Sequence, residues 1–88
     1  LFYTFEFGEP DGAIVDLESN IHLAMWGAGE IAVLSRKGKK IDSIKTPFKH
    51  PTCIATFELN EAKYIAVTSA LVEDDGGDVW ITKTSYNF

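Results

Sequence analysis

Apolar residues in this chain alternate with smaller or polar ones, and they never recur at i, i+3, i+4 and i+7 over a useful length. That sets helical folds aside and predicts strands throughout. The alternation is visible over Phe2 to Phe7, Ala13 to Asp16, Ile21 to Trp26, Glu30 to Ser35, Lys40 to Lys45, Cys53 to Phe57, Tyr64 to Ser69 and Asp78 to Lys83. Turn-forming residues separate these runs: Glu9-Pro10-Asp11-Gly12, Glu18-Ser19-Asn20, Gly27-Ala28-Gly29, Lys37-Gly38-Lys39, Thr46-Pro47 and Asp75-Gly76-Gly77. Many short strands at even spacing predict an all-β sheet stack, barrel or propeller.

A weak internal repeat decides among these. Pro10-Asp11-Gly12-Ala13-Ile14 and Pro51-Thr52-Cys53-Ile54-Ala55 begin two similar units 41 residues apart, since 51 − 10 = 41. Four-stranded propeller blades repeat at about 40–50 residues. Each unit opens with Pro, continues through a hairpin to a second strand, and passes a Gly-containing loop before a third. The reading is therefore a partial β-propeller of about two four-stranded antiparallel blades. Residues 1–9 are expected to be the outer strand of a preceding blade, 10–47 one blade, and 48–88 most of the next.

Strands in an antiparallel meander reverse at every turn, so alternate connections share an end of the sheet. Pro10–Gly12 and Trp26–Gly29 are expected at one end, with Pro51–Cys53 and Ala70–Gly77 beside them. The hairpins at Leu17–Asn20, Arg36–Lys39 and Leu59–Lys63 are expected at the other. Opening loops lie nearest a propeller's axis, so Asp11 is expected to project toward the central channel.

Charge narrows the partners. Thirteen acidic residues against eight basic ones give a net charge of −5. Phosphate backbones are held by excess Lys and Arg, so nucleic acid is not expected. No apolar run approaches the roughly 20 residues a membrane helix requires, and no membrane is expected. The single cysteine, Cys53, permits no internal disulfide, which suggests a reducing, cytoplasmic setting. The start at Leu1, directly in a strand-like run, suggests a piece of a longer protein.

The ordered set of motifs resembles the late blades of the regucalcin and gluconolactonase family. It consists of Pro10-Asp11-Gly12 with Asp16, the run Asn20 to Gly29, Pro51-Thr52-Cys53-Ile54-Ala55, and the run Tyr64 to Ala70. The resemblance implies a six-bladed propeller holding one divalent metal, calcium or zinc foremost, and hydrolysing a sugar lactone to an aldonic acid with metal-activated water. By the resemblance, Asp11 would be a metal ligand and a candidate general base, while the other two ligands would lie upstream of Leu1. The family's main sugar-contacting residues would lie upstream of Leu1 as well, and Trp26 is expected to border the substrate pocket only by its place at the same end as Asp11. Thr52-Cys53 and His22 depart from the family pattern without touching that assignment. A non-enzymatic calcium-binding regulatory propeller, or an inactive truncated product, are the alternatives.

Each of these residues also has a plain structural reading. Pro-Asp-Gly is an ordinary turn tripeptide, and by residues alone Asp11 is a turn residue. Asp16 and Glu18 read as hairpin residues, His22 as a packing residue, and His50 as solvated. Trp26 reads first as a packing aromatic at a strand end, and Cys53 lacks a His partner for a catalytic thiol. Glu73 to Asp78 lacks the alternating ligand spacing and final Glu of a calcium loop and reads as a solvated acidic loop. One carboxylate holds a metal weakly, so 88 residues alone are expected to bind it poorly and to be inactive. Open strand edges at Leu1–Phe7 and Asp78–Lys83 predict association, with missing blades or with other copies.

Overall fold

The computed structural model describes residues 1–88. Seven strands follow one another: β1 (Glu9–Val15), β2 (Ile21–Trp26), β3 (Glu30–Leu34), β4 (Lys40–Lys45), β5 (Pro51–Leu59), β6 (Ala62–Ser69) and β7 (Val79–Lys83). They form two antiparallel meanders, ordered β1-β2-β3-β4 and β5-β6-β7. The all-β reading holds, and the expected sharing of ends holds with it. Glu9 pairs with Trp26 at one end of the first sheet, and Pro51 pairs with Ser69 at the same end of the second. This shared end is the mouth of the two sheets.

The repeat reappears as geometry. In β1, Pro10 pairs with Met25 and Ala13 with Leu23, so Asp11 and Gly12 together face the single residue Ala24. In β5, Pro51 pairs with Ser69 and Cys53 with Thr68, leaving Thr52 as the extra residue. Both strands therefore bulge directly after their leading proline. The sequence reading placed Pro10–Gly12 and Pro51–Cys53 in loops. They belong to strands, because a bulge keeps the ladder going on both sides of an unpaired residue. The bulged stretches also meet: a Cβ on Gly12 would lie 2.5 Å from the Thr52 carbonyl oxygen. No residue larger than glycine fits that approach of β1 to β5.

Residues 1–8, expected to be the outer strand of a preceding blade, form no ladder within these 88 residues. Phe2 to Phe7 has the alternation of a strand yet forms none. A strand is stable only when its backbone groups find a ladder partner. None of residues 1–8 makes a backbone–backbone hydrogen bond. Instead Tyr3 to Phe7 lie along a shallow cleft with Met25, Ala28, Glu30 and Lys40 on the outward face of the first sheet.

The core lies between the sheets. Ala24, Ile31, Phe48, Ile54, Ile65 and Val67 are buried together, with Ile14, Ile44, Trp80 and Phe88 packed around them. Their parity follows from the ladder: Ala24 pairs with Ile31, and Val67 pairs with both Ile54 and Trp80. Residues of alternate parity point away. In the second sheet these include Phe57, Val79 and Ile81, which are 39%, 64% and 55% exposed.

Candidate functional site

The mouth gathers most of the residues singled out in the sequence. Asp11 sits in the β1 bulge and is exposed. Bulges re-aim side chains and recur beside active sites. Trp26 ends β2 and is half-buried. Its ring lies 4.4 Å from the His50 ring at an interplanar angle of 47°. His50, expected to be solvated, is thus half-buried against an aromatic, a correction that follows from how its connection is pinned. The Lys49 carbonyl accepts from Gly27 N–H and Gly29 N–H, both at 3.0 Å, and the His50 carbonyl accepts from Ala70 N–H at 2.9 Å. Thr46 N–H also donates to the Gly29 carbonyl at 3.0 Å. These bonds fold the link between the sheets back onto the mouth and set His50 against Trp26.

Phe7, Gly8, Glu9, Trp26, Gly27, Lys49 and His50 line an open groove of about 450 Å³. Trp26 forms part of its wall, and Asp11 does not line it. The mouth thus combines one exposed carboxylate with a neighbouring aromatic groove.

The acidic run Glu73 to Asp78 lies at the same end. It is a tight turn in which Val72 and Asp75 exchange backbone hydrogen bonds of 2.7 and 2.9 Å, with Glu73 and Asp74 at positive φ. Its carboxylates are exposed. Cys53 is an exposed free thiol. No three His, Cys, Asp or Glu side chains in the chain are grouped to hold a metal ion. The donors present do not make a metal site, since a hard divalent cation takes 6 or more oxygen ligands and Asp11 offers one carboxylate.

The opposite end holds a constellation the sequence did not reveal. Asp16 and His22 are 5% and 2% exposed. The Asp16 carboxylate accepts four hydrogen bonds: from Glu18 N–H and Asn20 N–H at 2.9 Å each, from Asn20 Nδ2 at 3.0 Å, and from His22 Nε2 at 2.9 Å. An ionised carboxylate only accepts, so His22 carries its hydrogen on Nε2. Burial raises the Asp16 pKa. The bond from His22, then those from Asn20 and Glu18, outweigh it and bring it down to about 2. Tyr86 and Phe88 set their rings against His22 at 4.6 and 4.7 Å. Tyr86 donates its hydroxyl to Asp42 at 2.6 Å. Burial, and after it that bond and the charges of Asp42, Asp16 and Glu18, push the Tyr86 phenol up to about 12. The hairpin reading of Asp16 is correct in place but incomplete. The signal available was a carboxylate and a histidine flanking a Ser-Asn turn. This end is filled, aromatic and internally satisfied, so it is structural.

Residues 1–71 match the family model described as the SMP-30/gluconolactonase/LRE-like region. An L-arabinolactonase from Azospirillum brasilense is 31% identical over 90% of this chain and 28% of its own length. Among solved structures, a regucalcin from Agrobacterium tumefaciens, described as a calcium-binding protein, superposes with a TM-score of 0.73. It is 32% identical, over 84% of this chain and 26% of its own. A luciferin-regenerating enzyme gives 0.73 at 25% identity, over 91% of this chain and 30% of its own. The chain therefore spans less than a third of each of these relatives. Its fold is that of part of a regucalcin-type β-propeller, and the chain belongs to the SMP-30/gluconolactonase/LRE-like family.

Proposed function

We propose that these 88 residues form part of a metal-dependent sugar-lactone hydrolase, contributing Asp11 and the Trp26 wall to its site. The observation that carries this reading is the bulge after Pro10, which sets an exposed carboxylate at the same end as the Trp26–His50 groove. The similarity to an L-arabinolactonase supports the reaction class. Opening a lactone needs water delivered to the ring carbonyl and a base for its proton. The ring C–O bond then breaks, and the leaving oxygen gains a proton to give the hydroxy acid. Asp11 is the base this chain offers. The apolar face of Trp26 suits the C–H face of a sugar ring. Calcium or zinc would take Asp11 as one of its oxygen ligands, with the rest of the shell supplied from outside these residues.

Aldonolactone hydrolysis by the 88-residue chain, with calcium, zinc or manganese against a chelated blank, is expected to equal the blank. In the longer protein that contains this segment, Asp11→Asn is expected to lower turnover by roughly 100-fold or more. Unchanged activity and unchanged metal content in that variant refute the assignment. A second reading, a calcium-binding propeller without turnover, is favoured by the similarity to a regucalcin described as calcium-binding. Saturable calcium binding with no hydrolysis across a lactone panel would decide for it.

A further inference from the structure

The far end of the two sheets is internally satisfied, and the groove at the mouth is not. Glu9, Trp26, Lys49 and His50 all line that groove. No polar atom of these four side chains makes a hydrogen bond or ion pair within the chain. Glu9 accepts, Lys49 and the Trp26 indole N–H donate, and a neutral His50 imidazole does both. Glu9 and Lys49 cancel in formal charge, which favours a neutral polar ligand over a phosphate or a metal ion.

The walls are set before any ligand arrives. Gly8, at φ +81°, backs onto the turn between β2 and β3 so closely that a Cβ there would lie 2.7 Å from the Ala28 Cβ. On the other side, the bonds from Gly27 and Gly29 to the Lys49 carbonyl fix the link that carries His50. The Trp26 and His50 rings, 4.4 Å apart and tilted at 47°, give the groove an aromatic corner. An aromatic wall with a few convergent polar groups, around about 450 Å³, is the make-up of a small-molecule site, which spans about 300–1,000 Å³.

Asp11 lies two residues beyond Glu9 in β1, about 7 Å along the strand, and does not line the groove. The mouth therefore has two adjoining compartments. A lactone whose ring carbonyl sits at Asp11 enters the groove only with a part that extends beyond the lactone ring. We propose that the Trp26–His50 groove is a subsite for a neutral sugar ring, a glycosyl unit carried by the lactone. Trp26 stacks on its C–H face, and His50, Glu9 and Lys49 bond its hydroxyls. The attachment to a lactone rests on the hydrolase reading proposed for this chain, whereas the affinity for a sugar ring does not.

Proton–nitrogen NMR of the 88-residue chain, titrated with methyl β-glucoside, tests that affinity directly. Saturable shifts of the Trp26 indole N–H and the His50 imidazole are expected, with a dissociation constant of about 1–10 mM for so small a ligand. The Trp80 indole, packed on the core between the sheets, is the internal control and should not move. His50→Ala is expected to weaken binding about three- to tenfold, with an unmoved Trp80 signal showing that the variant is folded. No saturable shift, or equal shifts at Trp26 and Trp80, overturns the subsite. In the longer protein, kcat/KM for a glucosyl-gluconolactone is expected to exceed that for gluconolactone at least about tenfold, and His50→Ala to shrink that ratio. Hydrolysis of both lactones at equal kcat/KM overturns the glycosyl assignment and leaves the hydrolase reading intact. Sugar binding in the groove with no hydrolysis of either lactone overturns the hydrolase reading and upholds the subsite.

Discussion

Replacing Asp16 by Asn separates the charge of the buried network from its shape. The two side chains are nearly isosteric, and Asn can still accept from the Glu18 and Asn20 backbone. It then turns an amide toward His22 Nε2 and Asn20 Nδ2, which are donors in the wild-type chain. Two donors facing a donor, with the side chain 1% exposed, leave buried polar groups unpaired. Losing hydrogen bonds to a buried charge costs about 2–3 kcal/mol. The pKa gives a second route to the size. Its fall from 3.8 to about 2 corresponds to about 2 kcal/mol of stability held by the ionised form. The folded pKa is the lower one, so this stability is fully present above pH 4 and is lost as pH falls through about 2. Urea unfolding followed by tryptophan fluorescence, from pH 2 to pH 7, measures it. The variant is expected to be about 2 kcal/mol less stable at pH 7, with the gap closing between about pH 4 and pH 2. A gap that stays constant over that range would show that Asp16 acts by shape alone and refute the electrostatic account.

Two further tests address other parts of the fold. The β5–β6 hairpin turns through Asn60 and Glu61, both at positive φ, between the paired residues Leu59 and Ala62. That geometry favours Asn-Gly, so Glu61→Gly is expected to raise stability by about 0.5–1 kcal/mol in the same unfolding assay. Tyr86→Phe removes the bond to Asp42 and is expected to cost about 1 kcal/mol at neutral pH. The Tyr86 pKa is raised, so this contribution is present below pH 10 and fades as pH rises through about 12, which a spectrophotometric tyrosine titration can follow.

The fold was legible because its two signals are periodic. Alternation identified strands, and the Pro10 and Pro51 offset identified the repeating unit. Strict alternation between ends then placed every hairpin correctly. What failed was local. Pro10–Gly12 reads as a turn because Pro, Asp and Gly are turn residues, but a bulge uses the same residues inside a strand. Phe2 to Phe7 reads as a strand because pattern records what a segment could bury, while pairing depends on an edge within reach. At the mouth, parity brought Asp11 and Trp26 to one end. His50 was missed because its position depends on three backbone bonds to Lys49 and Ala70, none of which has a sequence period. Asp16 and His22 meet across a hairpin, six residues apart, and no spacing rule distinguishes that from two unrelated polar residues.

The contrast between the two ends has a physical consequence for where function sits. At the far end, Asp16 is fully satisfied, His22 is enclosed by rings, and Leu17 and Asn87 tie the tail to the first sheet. Each group there has its partner, so opening that end exposes a charge and breaks several bonds at once. At the mouth, Asp11 is exposed, the groove stays open, and the acidic turn projects into solvent. The links between sheets at the mouth are backbone bonds to the Lys49 and His50 carbonyls, which leave the Asp11 carboxylate free. Exposed side chains there, Asp11 among them, can therefore change with little effect on the core, whereas Gly12, Asp16 and His22 cannot. An anchored end and a chemically free end are what a site built from several blades requires, because the blades must keep fixed positions while each contributes its own group at the rim.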